Sequence, residues 1–433
     1  MSKKLYVGVS RQDITPKIGG RLFGYLPDLH SDSINDNLTL TTFAFCQGIT
    51  KSLMISVSIG NIKTALIKEI KDEISQKFGV DFDNIIISAT HTHTGPCVSD
   101  MTGWGSVDEE YYFDILKPAI LKSAEEALNS IKPAKMAYAV GKSKVGINRR
   151  ELKLENRVRL GQNPWGPYNP EMTVISFKDE NDNIIGNMIH YGCHGTSAGK
   201  IKSVSRDWPG IMTDELEKVS GGLTAFFNGP EGDVGPRLSN GQTTGGDIKY
   251  VYELGKIAAE DAVGIFNKIA EYKDADMQAK TGMLKLPLKE RISLNEALEG
   301  IEKFNGNMFN IDLKSYEYYN KVKESYENGY EEKEYEEVEQ TLIKIGNVIF
   351  VSFPYELFSE IGMRINRALP KNQVLSLSNA NGSENYFPTL SDLCRGGYEI
   401  NMFKYAGVQN LVDDADFYLI HETLRNVEDF LNE

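Results

Sequence analysis

The chain has 433 residues, of which 41% are hydrophobic and 25% charged, and its formal net charge is −14 at pH 7. This composition suits a globular chain that buries a large core, and it excludes whole-chain disorder and collagen-like repeats. The acidic balance argues against nucleic acid and anionic membrane surfaces as partners, and no uninterrupted apolar run reaches the roughly 18 residues of a membrane helix.

Predicted strands and helices alternate along the first half of the chain. In chain order the pattern predicts a strand at 7–16 that ends in a proline turn, a β-hairpin at 39–58 with its turn at 48–51, a helix at 63–78, a buried strand at 84–89, a helix at 109–131, and strands near 136–141, 172–178, 185–191 and 223–228. This alternation indicates an α/β fold, in which mixed β-sheets are flanked by helices and site residues lie at the carboxyl ends of strands and in loops.

The second half contains a charged segment between predicted regular elements. A long amphipathic helix is predicted at 245–272, a hairpin of two strands at 341–354, and a last helix at 410–432. Between them, 291–340 is rich in Glu, Lys and Tyr. This segment is either a partner-binding arm or a solvated helical hairpin on the surface, and its charge pattern favours the hairpin.

Four of the six histidines lie in two short segments that each follow an apolar, strand-like run. His91 and His93 are two residues apart, and His190 and His194 are four apart, so each pair can share one face of a strand. Imidazoles gathered at strand ends are typical of a zinc-type site, which also accepts oxygen ligands. The alternative is that each histidine is a capping or core residue.

Two carboxylates stand out by their position in the sequence. Glu356 follows an apolar strand and opens a predicted helix, so it is either a site residue or a helix cap. Asp233 lies in the Gly/Pro-rich loop NGPEGDVGPR after a predicted strand, where site residues and plain turns are both common.

These segments together resemble the neutral/alkaline, non-lysosomal ceramidase family. The resemblance rests on VGVSRQDITP, SATHTHTGP, INRR, CHGTS, NGPEGDVGPR, FPYE and NYFPTLSDLCRGGYE, which occur in the family's order. It covers nearly the whole chain and implies a single catalytic domain over 1–433 that carries the helical charged insertion at about 291–340. We expect no counterpart of the C-terminal immunoglobulin-like domain that secreted members have.

The resemblance implies a metal site with one Zn²⁺ per chain. Its ligands would be His91, His194, Glu356 and Tyr386, and Cys193 is an alternative to His194 because thiolates also bind zinc. Manganese or iron would tolerate the same ligand set.

The resemblance also implies roles for residues around the metal. His93 would be the acid/base, and Arg149 and Tyr398 would hold the carbonyl oxygen as negative charge develops on it. Asp233 would orient a histidine, as carboxylates beside metal sites often do. His190 would be structural.

Two departures from the family pattern affect the expected substrate. Gly235 stands where the family has a serine, and Arg237 stands where it has an asparagine. Without that serine, we expect metal-bound hydroxide to attack the carbonyl carbon directly. As substrate-binding residues, Gly235 would leave space and Arg237 would add a cation, so the substrate would be a small soluble amide with an anionic group. Arg237 could instead pair with a structural carboxylate.

The predicted function is therefore a zinc-dependent hydrolase of the neutral ceramidase type that cleaves an N-acyl amide bond of a small molecule. The alternatives are a true ceramidase, a metal-dependent hydrolase of an ester, lactone or phosphate ester, and a non-catalytic protein that binds a metal or ligand. Four cysteines are too few for a disulfide framework, and the opening MSKKLYVGVSRQDITP has no apolar stretch of signal-peptide length, so we expect a cytoplasmic location. The sequence does not indicate an oligomeric state.

Overall fold

The computed structural model describes residues 4–100, 104–153, 157–306 and 310–432. Its strands, in chain order, are β1 (Tyr6–Asp13), β2 (Ser33–Ile34), β3 (Thr39–Gln47), β4 (Thr50–Val57), β5 (Ile85–Ala89), β6 (Lys132–Pro133), β7 (Lys135–Lys142), β8 (Gly146–Asn148), β9 (Arg150–Leu152), β10 (Val158–Leu160), β11 (Glu171–Lys178), β12 (Ile184–Tyr191), β13 (Ser203–Val204), β14 (Leu223–Asn228), β15 (Val234–Pro236), β16 (Met277–Pro287), β17 (Tyr335–Ile345), β18 (Val348–Ser352), β19 (Glu356–Leu357), β20 (Gln373–Leu377) and β21 (Tyr386–Phe387).

The helices lie between and after these strands. In chain order they are α1 (Thr64–Phe78), α2 (Glu109–Tyr111), α3 (Lys117–Asn129), α4 (Asp207–Ser220), α5 (Lys249–Phe266), α6 (Leu294–Phe304), α7 (Asn310–Glu327), α8 (Ser359–Ala368), α9 (Leu390–Leu393), α10 (Tyr398–Lys404) and α11 (Ala415–Leu431). A 3₁₀ turn at Phe82–Asn84 precedes β5, and a π-helical stretch at Tyr112–Leu116 joins α2 to α3.

Three principal sheets share one plan. Their strand orders are β5-β4-β3-β1-β6, β14-β12-β11-β7 and β16-β17-β18-β20. Each contains an antiparallel hairpin, β3–β4, β11–β12 or β17–β18. After each hairpin the chain passes through a helix and returns as β5, β14 or β20, parallel to the second strand of that hairpin. Each sheet therefore has one parallel pair whose carboxyl ends face the same edge, the usual place for a site in α/β proteins.

The three sheets pack against one another across a common apolar core. Phe43, Phe177 and Phe350 contribute one fully buried ring from each sheet, and the rings of Phe43 and Phe177 are 6.0 Å apart between centroids. Burying each such ring stabilises the fold by about 1.5–3 kcal/mol. Helices cover the outer faces: α1 and α3 on the first sheet, α4 and α5 on the second, and α8 and α11 on the third. Because both faces are covered, central strands such as β3 are buried almost throughout.

Most of the predicted elements are confirmed, with bounds that differ by a few residues. The α/β class with mixed sheets is correct, as are the hairpins β3–β4 and β17–β18. The sequence pattern missed α4, because its first turn contains Pro209 and Gly210, which are typical of turns; proline is tolerated there, where no intrahelical hydrogen bond is lost. It also missed β16, whose lysines and half-exposed face resemble a loop. The predicted helix at 245–272 is shorter, since Gly246 has a φ of +94° before α5.

The charged segment at 291–340 is only partly helical. Helices α6 and α7 pack together around a small cluster of Ala297, Tyr318 and Val322, which agrees with the predicted helical hairpin. From Tyr335 onward, however, the chain forms β17, which pairs with β16 residue by residue. Cross-strand attraction stabilises this charged part as a strand, as in the ion pair of Lys285 with Glu337 at 3.6 Å.

Across the described part of the chain, no helix is both long enough and apolar enough to cross a membrane.

Candidate metal centre

A buried polar cluster lies where the carboxyl ends of the three parallel strand pairs meet. His91 lies in the loop after β5, His194 in the loop after β12 and Glu231 in the loop after β14. Glu356 begins the short strand β19, which follows β18, and Asn379 lies in the loop after β20. The loop after β4 adds the carbonyl oxygen of Gly60, which lies 2.8 Å from Nδ1 of His91. The repeated plan of the sheets thus brings together side chains that are up to 288 residues apart in the chain.

Two short parallel pairings hold these loops in register. Thr92 forms an isolated parallel bridge with Gly195, and His93 N–H donates to the carbonyl oxygen of Gly195 at 3.1 Å. Glu356 is paired with Tyr386 in the two-residue ladder between β19 and β21. His91 itself has a left-handed backbone, with φ of 65°, a conformation that costs a non-glycine residue about 1–3 kcal/mol and is found mainly at functional sites.

The donor atoms of the four predicted ligands converge. Oε2 of Glu356 lies 3.1 Å from Nε2 of His194 and 3.5 Å from Nε2 of His91. The hydroxyl of Tyr386 lies 3.4 Å from Nε2 of His194. A tetrahedral ion with bonds of about 2.0–2.1 Å separates its ligand atoms by about 3.3 Å, so these spacings fit a single zinc-sized ion.

Hydrogen bonds on the far side of each imidazole support the same interpretation. Nδ1 of His91 lies against the carbonyl oxygen of Gly60, and Nδ1 of His194 lies 2.9 Å from the carbonyl oxygen of Glu231 and 3.1 Å from that of Val234. A ring nitrogen that faces a carbonyl oxygen carries the proton, which leaves Nε2 with a lone pair. Oε2 of Glu356 is buried and has no hydrogen-bond partner in the described structure, although both ring nitrogens are near it. A cation would satisfy all three atoms.

A second acidic side chain, that of Glu231, belongs to this cluster. A carboxylate oxygen of Glu231 lies within 4.8 Å of ligand atoms of His91 and Glu356. Its Oε1 accepts a hydrogen bond from Asn379 at 2.7 Å, and its Oε2 has no partner among the described residues. Burial raises the pKa of Glu231 well above its usual range, and the charge of Glu356 adds to this effect. Burial acts to raise the pKa of Glu356 too, but the two histidines hold it well below its usual range.

His93 lies between the cluster and the solvent-facing cavity. Its Nε2 is 3.3 Å from Nε2 of His91, so it is also close enough to serve as a ligand. Its Nδ1 is buried and has no hydrogen-bond partner in the described structure. Burial lowers the pKa of His93 well below its usual range, with His91 and His194 adding to the shift, so the ring is neutral. Gly24 permits this packing, since a Cβ there would lie 2.4 Å from Nδ1 of His93.

Arg149 is buried beside Tyr386, as expected for a group that acts on substrate. Its Nη2 donates to the Tyr386 hydroxyl at 3.0 Å, and its Nε donates to Glu399 at 2.9 Å. The Tyr398 ring lies 5.6 Å from the Tyr386 ring, and the Tyr398 hydroxyl has no hydrogen-bond partner among the described residues. Burial raises the pKa of Tyr398 above its usual range, so this hydroxyl remains a proton donor. Arg149 and Tyr398 can therefore both donate to an oxygen atom in front of the cluster.

A cavity of about 660 Å³ opens onto the cluster, a volume within the usual range for small-molecule sites. Its inner end is formed by His93, Arg149, Tyr386 and Tyr398. Aromatic and aliphatic side chains form much of its wall, namely Tyr25, Trp104, Val158 and Leu160. The rings of Trp104 and Tyr398 are stacked, with an interplanar angle of 6°.

Two sequence interpretations of acidic residues in this region are wrong. Asp233 orients no histidine: its carboxylate accepts from the N–H of Ser359 at 2.7 Å, at the start of α8, and from Asn148. The backbone carbonyl groups of Glu231 and Val234, in the same loop as Asp233, hold Nδ1 of His194. Glu356 does not cap α8, because that helix begins at Ser359 and the Glu356 carboxylate faces the histidines.

The two residues that depart from the family pattern do not form the cavity wall. Arg237 donates to the hydroxyl of Tyr168 at 3.1 Å and lies near the carbonyl oxygen of Gly146; it is not among the described residues that line the cavity, and it pairs with no carboxylate among them. Gly235 is covered by Thr243, which lines the cavity in its place. The prediction that Gly235 and Arg237 bind substrate is therefore wrong.

Two further sequence alternatives are decided by packing. Cys193 is fully buried in the core between the second sheet and its helices, and it belongs to neither group of described residues whose donor atoms converge, whereas His194 does, so it does not replace His194 as a ligand. His190 lies apart from the other histidines, with Nε2 2.9 Å from the carbonyl oxygen of Ser376, and its predicted structural role is confirmed.

Sequence reasoning missed Glu231, Asn379 and Glu399. Glu231 lies in the same loop as Asp233, and its distance from the preceding strand was a usable signal. Asn379 and Glu399 had no signal in the sequence, because each is defined only by its contacts with Glu231 and with Arg149.

Comparison with known proteins agrees with this architecture. A model of the neutral/alkaline non-lysosomal ceramidase N-terminal region matches residues 5–252, which is more than half of the chain. The chain belongs to this family. It is 26% identical over 200 residues to a neutral ceramidase of Pseudomonas aeruginosa and 25% identical over 256 residues to neutral ceramidase A of Dictyostelium discoideum. Those matches cover 43% and 53% of this chain, but only 29% and 35% of the two relatives.

Solved ceramidase structures share the fold of this family member over nearly its whole length. The crystal structure of the Pseudomonas aeruginosa neutral ceramidase superposes with a TM-score of 0.75 at 18% identity, and covers 99% of this chain and 74% of that one. A ceramidase structure described as complexed with C2 gives a TM-score of 0.72 at 16% identity, with 99% and 76% coverage.

Proposed function

We propose that this chain is a metal-dependent hydrolase that cleaves the amide bond of a small N-acyl substrate. The observation that carries the proposal is the convergence of donor atoms of His91, His194, Glu356 and Tyr386 at tetrahedral spacing, at the inner end of a cavity of about 660 Å³. Membership of the ceramidase family supports amide hydrolysis, and two of the relatives are named neutral ceramidases.

Zinc is the ion that this ligand set fits best. Two imidazole nitrogens with a carboxylate and a phenol oxygen suit zinc, although manganese and iron accept similar ligands. When bound in such a site, the ion lowers the pKa of water and polarises a carbonyl group. The uncompensated oxygens of Glu231 and Glu356 are a reason for this chain to hold a cation here.

The chain's own residues would supply the remaining chemistry. An amide that enters the cavity would present its carbonyl oxygen to Arg149 and Tyr398, which donate to that oxygen as it gains negative charge. His93 faces the cavity and is neutral, so it can accept a proton and pass it to the leaving nitrogen. Aromatic walls exclude bulk water and strengthen these interactions.

No side-chain nucleophile is needed at position 235 in this scheme. The nearest hydroxyl-bearing side chain is that of Thr243, whose carbon atoms fill the space beside Gly235. Ceramide is the second candidate substrate, since two relatives of similar sequence are named as ceramidases.

The test combines metal content with a substrate panel. The purified chain, supplied with zinc and desalted, is expected to retain about one ion per chain, and His91→Ala and Glu356→Ala to lose it. His190→Gln is the matched control, because His190 is equally buried but lies outside the cluster, and it should keep the ion.

The panel would contain a short N-acyl amide, the corresponding ester, and detergent-solubilised ceramide. Cleavage of the amide that depends on the bound ion supports the proposal. A chain that binds no metal, or one that binds metal and cleaves nothing in the panel, would contradict it.

A further inference from the structure

The cavity in front of the buried polar cluster is lined by an unusual set of charged side chains. Among the described residues that line it, the charged ones are Arg149, Arg157 and Arg395, and none is a carboxylate. Yet the whole chain has 61 acidic and only 47 basic residues. A neighbouring cavity of about 770 Å³, which shares Tyr386, is lined by five lysines and five acidic residues. Unlike this larger neighbour, the cavity that reaches the cluster is lined by arginines and by no described carboxylate.

Two of the three arginines are available to a ligand. Arg149 is engaged at the inner end by Glu399 and Tyr386. The side chain of Arg157 is exposed and has no ion-pair or hydrogen-bond partner within the described ranges, while its backbone carbonyl oxygen accepts from Lys153 N–H. Arg395 has one loose contact, with Asp392 at 3.5 Å, and its side chain is 58% exposed.

Asp392 is a poor competitor for Arg395, because it already accepts hydrogen bonds from elsewhere. Arg150 donates to Asp392 at 3.3 Å and Thr389 donates to it at 2.9 Å. The Arg395 guanidinium thus retains free N–H groups that can form the paired hydrogen bonds typical of oxyanion recognition.

The two free arginines lie on segments that touch each other. Arg150 in β9 donates to the carbonyl oxygen of Gly396 at 2.7 Å, and Val158 in β10 packs against Gly397. Arg157 immediately precedes Val158, and Arg395 immediately precedes Gly396. Both side chains therefore reach the cavity from the same part of its rim.

We propose that the substrate is an amide that carries an oxyanion, and that Arg157 and Arg395 bind this group while the scissile carbonyl lies at Arg149 and Tyr398. An N-acyl amino acid is the simplest molecule of this class: its acyl chain would lie along Trp104 and its neighbours on the apolar wall. This inference rests on the proposed function and adds the class of substrate. Arg157 and Arg395 thus take the substrate-binding role that was expected of Arg237 from the sequence.

The experiment compares substrates that share one acyl chain and differ only in the amine part. N-acylglycine and an N-acylethanolamine phosphate carry the two common oxyanions, and N-acylglycinamide is the neutral counterpart. With the zinc-loaded full chain, the anionic amides are expected to have a kcat/KM about tenfold above that of the neutral amide, because a charge-assisted hydrogen bond is worth at least that factor. The anionic amide with the higher kcat/KM shows whether the site favours a carboxylate or a phosphate group. The preference for anionic over neutral amides should decrease as salt is added.

Variants at the rim test the residues. Arg157→Gln and Arg395→Gln should each raise KM for the anionic amide about tenfold, with kcat and the neutral amide little changed. Arg367→Gln is the matched control, since Arg367 is an exposed arginine near the end of α8 that does not line this cavity.

A binding measurement separates failure of the inference from failure of the proposed function. If no amide is cleaved, the proposed function fails, and calorimetric titration with N-acylglycine and N-acylglycinamide still tests the rim. Tighter binding of the anion that is lost in Arg157→Gln and Arg395→Gln supports the inference. Equal binding or cleavage of anionic and neutral amides, or an anion preference that survives both variants, overturns it.

Discussion

Replacing Gly235 by serine, the residue that the family pattern has at this position, is expected to destabilise this chain. Gly235 lies in the middle of β15 and pairs with Ile147 in β8. Its φ is not in the left-handed region, so a side chain is compatible with the backbone. Space is the limiting factor, since a Cβ at Gly235 would lie 2.7 Å from Cβ and 2.9 Å from Cγ2 of Thr243, and 3.3 Å from Cβ of Arg149.

The size of the effect follows from these distances. Carbon atoms pack at about 3.5–4.0 Å, so the new Cβ would overlap Thr243 by roughly 0.8 Å. Thr243 is only 4% exposed and cannot turn away without disturbing its neighbours. Overpacking of this kind costs about 1–3 kcal/mol of unfolding free energy. The Thr243→Ala change removes Cγ2, one of the two close atoms, but keeps Cβ, so it should restore part of that loss in a chain that already carries Gly235→Ser.

The assay is chemical denaturation of the parent, Gly235→Ser, Thr243→Ala and the double variant. We expect a coupling free energy of about 0.5–1 kcal/mol between the two sites, with the double variant more stable than the sum of the single effects. Full stability of Gly235→Ser, or an equal loss from Gly235→Ser in both backgrounds, would refute the argument that Thr243 occupies the space of the family serine.

Three other predictions concern buried groups around the cluster. Burial lowers the pKa of His190 to about 4 from about 6.5 in the unfolded chain, so its contribution, about 3 kcal/mol, is present above pH 6.5 and is lost as pH falls toward 4. His190→Gln should weaken this dependence in denaturant titrations at pH 5 and 7.5, and an unchanged dependence would contradict it. Burial makes Glu231 resist ionisation, which costs folding free energy at neutral pH, so Glu231→Gln should raise the thermal stability of the metal-free chain. It should also reduce the further rise that added zinc gives, because the carboxylate that would face the cation is lost; calorimetry with and without zinc measures both, and an unchanged zinc effect would exclude Glu231 from the site. Asp233→Ala should cost about 1–2 kcal/mol, because the N–H and hydroxyl of Ser359 lose their acceptor at the start of α8, whereas Asp233→Asn should cost less. Denaturation of both variants decides this, and equal losses would contradict the capping role.

The order of secondary structure could be predicted because it depends on local patterns. Apolar runs bounded by turn residues identified β3 to β5 and β17 to β18. The predictions failed where local and tertiary preferences differ. Pro209 made the start of α4 resemble a turn, and the acidic residues of β17 resembled a solvated helix until β16 supplied a partner strand.

Candidate ligands could also be found in the sequence, because imidazoles and carboxylates after strands are unusual enough to notice. The residues that these candidate ligands contact could not be found in the sequence. Whether Asp233 or Glu231 faces His194 depends on how one short loop turns, and the structure directs the Glu231 carboxylate toward Asn379 and the Asp233 carboxylate toward Ser359. These two side chains are only two residues apart in one loop and point in different directions, and the sequence pattern of the loop does not show which direction each takes.

By itself the sequence determined the α/β class, the family and the set of residues whose chemistry suits a metal. The tertiary structure alone decided which of them meet, since contacts between residues such as His91 and Asn379 depend on three sheets packing against one another across one core. It also decided that the arginines lining the cavity are Arg149, Arg157 and Arg395, whereas Arg237 is held against Tyr168 outside it. Charge is visible in a sequence, but the direction in which a charged side chain points depends on its packing.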